Sequence, residues 1–239
     1  MINNPEFDDF ADDYDAALGA SLTATGEDKH YFARRRVEWL ARRLRERGAS
    51  SRSVLDFGCG TGSSTPYLFE GLSAESVVGI DVSPRSLDVA RNLYGAGGRA
   101  KFETLDDYRP AAELDLAFSN GVFHHIPLQE RARAVGIVHR ALRPGGLFAL
   151  WENNPWNPGT RYVMSNCAFD EDAITLSPPE ARRLVRAGGF EVLGTDFLFI
   201  FPRALHFLRG LEPLAARLPL GGQYLVLCRK PEQAAATNR

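Results

Sequence analysis

Short apolar runs alternate with amphipathic stretches through most of the chain. Strands are predicted for the runs at residues 53–57, 76–82, 100–104, 114–120 and 146–152. Helices are predicted between them at residues 61–71, 83–94 and 128–142. Strands separated by helices are typical of a parallel sheet with right-handed crossovers and helices on both faces. The pattern therefore predicts an α/β fold with a doubly wound sheet.

Before the first strand, the pattern predicts a helical arm over residues 1–48. Its main helix covers residues 28–47, because Val37, Leu40 and Leu44 fall near helical spacing and Gly48 follows as a stop. A shorter helical piece is predicted around residues 7–18.

The alternation ends after residue 152. Residues 153–177 are polar and rich in Pro and Asn, and a loop this long in a compact domain is usually functional or disordered. Its aromatic side chains argue against disorder. A capped helix, a strand, a broken apolar helix and a closing strand are predicted beyond it. We divide the chain into the arm at 1–48, a core at 49–152, a lid and C-terminal part of the same domain at 153–230, and a flexible tail at 231–239.

Composition narrows the function classes. The chain has 239 residues and 44% hydrophobic content, enough for one packed domain, and its net charge of −2 favours neither nucleic acid nor an anionic membrane. The three cysteines form no CxxC pair, which fits a reduced protein better than a disulfide scaffold or zinc site. The acidic N-terminus lacks the order of a signal peptide, and no apolar run approaches membrane-spanning length. We expect a cytoplasmic protein without membrane or nucleic-acid partners, as a monomer or homodimer.

A glycine loop follows the first strand, in the stretch VLDFGCGTG. Gly58, Gly60 and Gly62 are spaced G-x-G-x-G, one residue away from the G-x-G-x-x-G of dinucleotide sites. Glycines here let a ligand approach the main chain, and Asp81 after the second strand is placed to accept from ribose hydroxyls. The pair predicts an adenosine-type ligand. Asp81 as a plain helix cap is the alternative.

Five segments between residues 53 and 151 together resemble the class I S-adenosylmethionine-dependent methyltransferases of the small-molecule type. In order they are VLDFGCGTG, GIDVS, FETLDDY, LDLAFSNGVFHHI and LRPGG. The resemblance implies a single sheet of seven strands with the last one antiparallel. It also implies S-adenosyl-L-methionine as cofactor, bound over the carboxyl ends of the strands and released as S-adenosyl-L-homocysteine.

The resemblance also implies positions for the cofactor. Gly58 and Gly60 would face its methionine portion, and Asp81 would hold the ribose. Leu105 and Asp106 would meet the adenine, with the adjacent Asp107 as an alternative acid.

Further cofactor contacts are implied beyond the first three strands. Ser119 and Asn120 would flank the methionyl portion, and Tyr14 would contact the cofactor from the amino-terminal arm, unless Tyr14 only packs in the core. Arg36 is the candidate for the cofactor carboxylate because guanidinium suits carboxylate forks. Arg34 and Arg35 compete with it.

Methyl transfer from a sulfonium needs positioning and exclusion of water, and a hydroxyl or ammonium acceptor must also lose a proton. His124 and His125 follow the fourth strand and Glu152 ends the fifth, where the family places acceptors. Histidine titrates near neutral pH, so His125, then His124, is the candidate base, although paired histidines at a helix entry are often structural. Glu152 would orient the acceptor or the lid. Adjacent histidines alone, without an HxxxH pattern or a carboxylate trio, predict no metal site.

Trp156, Arg161 and Tyr162 in the lid are candidates for an acceptor wall suited to a small polar or glycosylated metabolite, if they do not simply pin the loop. The sequence thus predicts methyl transfer to a small molecule at a hydroxyl oxygen. The alternatives are transfer to nitrogen, a tRNA or rRNA methyltransferase, and a non-catalytic binder of the cofactor. A [D/N]-P-P-[Y/F/W] tetrad after strand four, which would hold a flipped base, is absent from the sequence. A nicotinamide oxidoreductase does not fit the glycine spacing.

Overall fold

A computed structural model describes residues 25–167, 170 and 172–232, and its centre is one seven-stranded sheet. The strand order is β3-β2-β1-β4-β5-β7-β6. Strand β7 pairs antiparallel with both β5 and β6, and the other pairings are parallel. This confirms the predicted α/β class and the antiparallel last strand. The strands are β1 Ser53–Phe57, β2 Ser76–Asp81, β3 Ala100–Thr104, β4 Leu114–Asn120, β5 Leu142–Asn153, β6 Glu191–Leu198 and β7 Gln223–Arg229.

Helices cover both faces of the sheet. They are α1 Lys29–Arg45, α2 Thr65–Leu72, α3 Pro84–Tyr94, α4 Arg131–Ala141, α5 Pro158–Ser165, α6 Pro178–Ala187 and the short α7 Glu212–Ala215, with a 3₁₀ helix at Arg203–Leu211 before α7. Apolar clusters lie on both faces. One contains Leu55, Phe123 and Phe148, and the other contains Leu40 and Trp151. None of the helices in the described ranges has the length and apolar character needed to cross a bilayer.

The stretch at residues 153–177 contains helix α5, which the sequence analysis treats as loop. The side chain of Asn157 accepts a hydrogen bond from the backbone N–H of Thr160, and Pro158 occupies the first turn. An Asn-Pro pair with this spacing is a helix-start signal. The sequence analysis predicts a loop here because the polar, Pro- and Asn-rich composition is a stronger signal than the short capping pattern at Asn157 and Pro158.

Helix α1 belongs to the predicted N-terminal arm, residues 1–48, but it packs into the core. Val37, Leu40 and Leu44 are buried on the sheet. The buried carboxylate of Asp196 on β6 accepts from the indole N–H of Trp39 at 3.0 Å and pairs with Nε of Arg43 at 2.9 Å. Asp196 therefore links β6 to two side chains of α1, although Arg43 also pairs with the more exposed Glu46 at 2.7 Å. The rest of the predicted arm, residues 1–24, and residues 233–239 of the tail lie outside the described residues.

We expect Asp196→Ala to lower the free energy of unfolding by about 2 kcal/mol, because the buried Trp39 N–H loses its acceptor. Arg43 loses one counter-charge but keeps Glu46. Urea unfolding followed by circular dichroism measures this. The matched control is Glu38→Ala, which removes an exposed partner of Arg35 and should cost no more than about 0.5 kcal/mol. Equal losses for the two variants would contradict the anchoring role.

Candidate active site

The turn after β1 is built from glycines in left-handed backbone conformations. The φ angles of Gly58, Gly60 and Gly62 are +72°, +51° and +75°. A Cβ atom on Gly58 would clash with Cγ2 of Val122, whereas one on Gly60 would meet nothing within 4 Å. Position 58 therefore needs glycine for packing, and position 60 leaves open space against the main chain.

Asp81, at the end of β2, ties the glycine loop to the start of α3. Its Oδ2 accepts from the N–H of Gly60 at 2.8 Å, and its Oδ1 accepts from the N–H of Ser83 at 2.9 Å. Ser83 caps α3 itself by accepting from the N–H of Ser86. Asp81 is therefore not the helix cap. A carboxylate has about four acceptor sites, so a ligand hydroxyl can add to these two bonds.

Asp56 on β1 is a buried acid to which the sequence analysis assigns no role. It is 2% exposed, and its Oδ2 has no hydrogen-bond partner within the described ranges. Burial, and then the charge of Asp81, raise the pKa of Asp56 to about 7. An acid inside an otherwise apolar run is the sequence signal that marks it, since Asp is rarely buried without a partner.

Two acids follow β3, and the structure separates them. Oδ2 of Asp107 accepts from the hydroxyl of Thr104 at 2.6 Å, so the turn itself uses this acid. Asp106 has an exposed side chain. Leu105 is held beside β2 because its N–H donates to the carbonyl of Asp81 at 2.8 Å. Asp106 is thus the acid of the pair that the turn leaves for a ligand.

Strand β4 ends in two polar side chains with unsatisfied oxygens. Oγ of Ser119 and Oδ1 of Asn120 are buried, and the described residues offer neither a hydrogen-bond partner. Buried polar atoms are normally satisfied, so these oxygens fit a polar ligand at the carboxyl end of the central strands. Asn120 lines the large cavity described next, whereas Ser119 is fully buried behind it.

A cavity of about 500 Å³ opens at this end of the sheet. Its walls come from the first half of α1, the loop after β4, helix α5 and the segment after β6. Tyr31, Phe32 and Phe199 form an aromatic part of the wall, with the Phe32 and Phe199 ring centroids 4.9 Å apart. This volume lies in the range of small-molecule sites.

Arg36 is the one of the three competing arginines that lines the cavity. Its Nε donates to Oε1 of Gln223 at 2.9 Å, which fixes the guanidinium at the wall. Arg35 instead pairs with Glu38 at 3.0 Å and approaches Glu212 at 3.7 Å, and Arg34 is exposed.

Glu152 is fully buried at the end of β5 and holds the loop after β4. Its Oε1 accepts from the N–H groups of Val122 and Phe123 at 3.1 and 2.8 Å, and its Oε2 lies 2.6 Å from Nδ1 of His124. Burial alone would lower the pKa of His124, but the carboxylates of Glu152 and Asp170 outweigh it and raise this pKa to about 9. Glu152 is not among the described residues that line the cavity, and it positions His124 instead.

His125 and Asp170 lie beside His124 on the cavity wall. Nε2 of each histidine is 3.4 Å from Oδ1 of Asp170. The segment after α5 that brings Asp170 here is anchored to the loop, because the N–H of Ile174 donates to the carbonyl of His124 at 2.9 Å. Burial, and then the charge of His124, lower the pKa of His125 to about 4, so this ring is neutral at pH 7.

Of the three predicted acceptor residues, only Tyr162 lines the cavity. Arg161 is exposed on another face of α5, and Trp156, 52% exposed, precedes the cap of that helix. The prediction placed them in a loop, where all three side chains could point one way. Arg161 and Tyr162 instead lie in a helix, which spreads its side chains around its axis, and Trp156 lies in the turn before it, where its N–H donates to Oδ1 of Asn154. Tyr14 lies outside the described residues.

The open space at Gly60, the bridging Asp81 and the unsatisfied oxygens after β4 define an α/β enzyme with an adenosine-type cofactor site. Comparisons with known proteins narrow this class. The profile of a family described as "Methyltransferase domain" matches residues 54–146. A "Probable S-adenosylmethionine-dependent methyltransferase" of Mycolicibacterium smegmatis is 30% identical over 214 residues, which are 86% of this chain and 77% of the relative.

Two further matches are limited, one in the length that it covers and the other in sequence identity. Trans-aconitate 2-methyltransferase of Azoarcus is 37% identical over 98 residues, 41% of this chain and 38% of that relative, so this match spans well under two thirds of the relative. A solved S-adenosylmethionine-dependent methyltransferase from Mesorhizobium loti shares the fold, with a TM-score of 0.57 and 23% identity over 81% of this chain and 97% of that one.

The chain belongs to the S-adenosylmethionine-dependent methyltransferases. It is an enzyme of this class, and S-adenosylmethionine is its cofactor.

The pKa of Asp56 predicts a pH-dependent stability. Between the unfolded pKa of about 3.9 and the folded pKa of about 7, the folded protein holds a proton that the unfolded chain has released. The contribution of Asp56 to stability therefore falls as the pH rises through this window. We expect Asp56→Asn, which stays neutral, to be more stable relative to wild type at pH 8 than at pH 5.

Urea unfolding of the cofactor-free protein at both pH values measures this difference. Asp106→Asn, which neutralises an exposed acid, is the control. A wild-type-to-Asp56→Asn difference that stays constant between pH 5 and pH 8 would show that Asp56 ionises normally.

Proposed function

We propose that this enzyme transfers the methyl group of S-adenosylmethionine to a hydroxyl oxygen of a small molecule. The observation that carries the proposal is the cavity of about 500 Å³, which has the cofactor candidate Asn120 and the base candidate His125 on one wall. A cavity of this size suits a metabolite rather than a polymer. The name of the Azoarcus relative gives trans-aconitate as its acceptor, and this supports a small molecule as the acceptor here.

In this proposal the cofactor lies across the carboxyl ends of β1, β2, β3 and β4. Asp81 accepts from the ribose hydroxyls, Leu105 and Asp106 meet the adenine, and the open space at Gly60 takes the methionine portion. Gly58 keeps the loop tight against Val122 beneath it.

The methionyl end of the cofactor points to the cavity. Ser119 and Asn120 supply the unsatisfied oxygens beside it, and Arg36 on the cavity wall binds the carboxylate. A fork of N–H donors on a guanidinium suits a carboxylate, and its bond to Gln223 holds it in place beforehand. Tyr14, the further cofactor contact expected from the resemblance, stays a prediction.

The acceptor enters the cavity between the aromatic wall and α5, where Tyr162 is the predicted residue that lines it. The reaction is an in-line displacement, so the walls mainly orient the oxygen toward the methyl group and exclude water. As the C–O bond forms, the hydroxyl loses its proton. His125, with a neutral ring at the cavity wall and Asp170 beside it, is the candidate to take this proton.

The test follows the methyl group. Purified protein with methyl-labelled S-adenosylmethionine is incubated separately with a metabolite extract, RNA and total protein. We expect label in the metabolite fraction, in a product that mass spectrometry and hydrolysis identify as a methyl ether or ester. Label confined to RNA or protein, or to a methylated amine, would contradict the acceptor class. Absence of label in all three fractions despite cofactor binding would contradict transfer to a metabolite of the extract.

The variant Asp81→Ala tests the proposed contact between Asp81 and the ribose of the cofactor. We expect its affinity for S-adenosylhomocysteine to fall about 10- to 100-fold, or about 1.5–3 kcal/mol, because the charged hydrogen bonds to the ribose are lost. Calorimetry measures the affinity, and label transfer at low cofactor concentration should fall with it. Asp88→Ala, which removes an exposed acid of α3 paired with Arg91, should match wild type. Unchanged affinity of Asp81→Ala would remove the ribose assignment.

A further inference from the structure

Three side chains on the cavity wall bring metal-ligating atoms together. They are His124 and His125, from the loop after β4, and Asp170, from the segment after α5. One ligand atom from each lies within 4.8 Å of the others. All three residues line the cavity, so an ion held here would face the space assigned to the acceptor.

The distances from both histidines to Asp170 are long for hydrogen bonds and match the separation of two ligand atoms on one ion. Nε2 of His124 and Nε2 of His125 each lie 3.4 Å from Oδ1 of Asp170. N–H···O bonds are typically about 2.7–3.2 Å long. A tetrahedral ion with metal–ligand bonds of about 2.0–2.1 Å separates its ligand atoms by about 3.4 Å.

Glu152 completes an arrangement that is common behind metal-binding histidines. Its Oε2 accepts from Nδ1 of His124 at 2.6 Å, and both residues are buried. A histidine that donates one ring N–H to a carboxylate has the other nitrogen fixed as a ligand. The bond therefore presents Nε2 of His124 to the cavity side. Since the carboxylates beside His124 raise its pKa to about 9, an ion that binds here displaces the proton from Nε2.

We propose that His124, His125 and Asp170 bind a divalent first-row transition ion of the Zn²⁺ type. Two imidazoles and one carboxylate suit such an ion, whereas Mg²⁺ prefers oxygen ligands. Three protein ligands beside a cavity leave a coordination position open, as in catalytic zinc sites. This differs from the expectation of no metal site, which rested on the spacing of the histidines and could not include the distant Asp170.

The open position would take the oxygen of the acceptor, and this part rests on the proposed function. The ion would lower the pKa of a bound hydroxyl, whose O–H bond breaks with loss of the proton to water while the oxygen keeps the electron pair. That pair forms the C–O bond as the methyl–sulfur bond breaks, and S-adenosylhomocysteine leaves with the electron pair of the broken bond. With an ion bound, His125 is a ligand and no longer takes the proton.

The direct test is binding of Zn²⁺ to the full chain after treatment with a chelator. Calorimetry with a zinc buffer and elemental analysis after gel filtration should show one ion per chain. We expect His125→Ala and Asp170→Ala each to weaken binding by more than 100-fold, beyond the roughly 10- to 100-fold seen when only an outer residue is lost. Circular dichroism confirms that the variants fold.

Two variants of the same cavity are controls. His30→Ala removes another imidazole that lines the cavity, and Cys167→Ser removes a thiol that lines it. Both should bind Zn²⁺ as wild type does. The proposal is overturned if no stoichiometric binding occurs, or if His125→Ala and Asp170→Ala bind as tightly as wild type.

A measurement of label transfer then distinguishes binding of the ion from a role of the ion in the reaction. Zinc-loaded protein should transfer the methyl group at least about tenfold faster than chelator-treated protein. Binding of Zn²⁺ without any change in transfer would overturn the catalytic role of the ion, and the metal site itself would stand on the binding data.

Discussion

The hydrogen bonds of the buried Glu152 carboxylate hold the loop after β4, and the cavity wall that carries His124 and His125 depends on them. Glu152 lies at the end of the strand next to β4, and its carboxylate accepts from two backbone N–H groups and one imidazole of the loop after β4. A buried carboxylate with fewer partners would be costly, so the loop conformation and the buried charge stabilise each other. The same loop supplies Val122, against which Gly58 packs. One side chain thus relates the glycine turn to the two histidines.

The parallel sheet explains why the cofactor and acceptor residues meet at one edge. The carboxyl ends of β1, β2, β3 and β4 carry the glycine turn, Asp81, the Asp106 turn and Asn120 in neighbouring positions. Rigid strands position such groups more precisely than loops do. The acceptor side adds α1, α5 and the segment after β6, which close a cavity over that edge. The core therefore carries the residues proposed for the cofactor, and the elements outside the alternating strand–helix pattern shape the space proposed for the acceptor.

Much of the fold was predictable because local signals agree with the tertiary structure. Buried strands alternate with amphipathic helices, and Ser83, Ser177 and several glycines mark helix ends. The unpredicted features depend on contacts between distant residues. Asp170 reaches the histidines through the bond between Ile174 and the carbonyl of His124, and no local pattern encodes this.

In the candidate site too, residues predicted from a motif differ from residues whose position depends on tertiary contacts. Asp81 and Asn120, which a motif places at strand ends, are the last residues of β2 and β4, and their contacts with the cofactor stay predictions. Trp156 and Arg161, chosen by composition alone, do not line the cavity. Arg161 lies on another face of α5, and Trp156 lies in the turn before that helix. The role of Glu152 also differs from the expected contact with the acceptor or the lid, since its burial could be seen only once β4 and β5 were paired.

The most direct test of this account is the initial rate of methyl transfer by Glu152→Gln at saturating cofactor, with S-adenosylhomocysteine affinity measured in parallel. Glutamine keeps the shape but loses the charge that holds His124. The account predicts a rate at least about tenfold lower, with cofactor affinity within about twofold of wild type. A rate equal to that of wild type would show that Glu152 does not organise the acceptor side and would contradict the account.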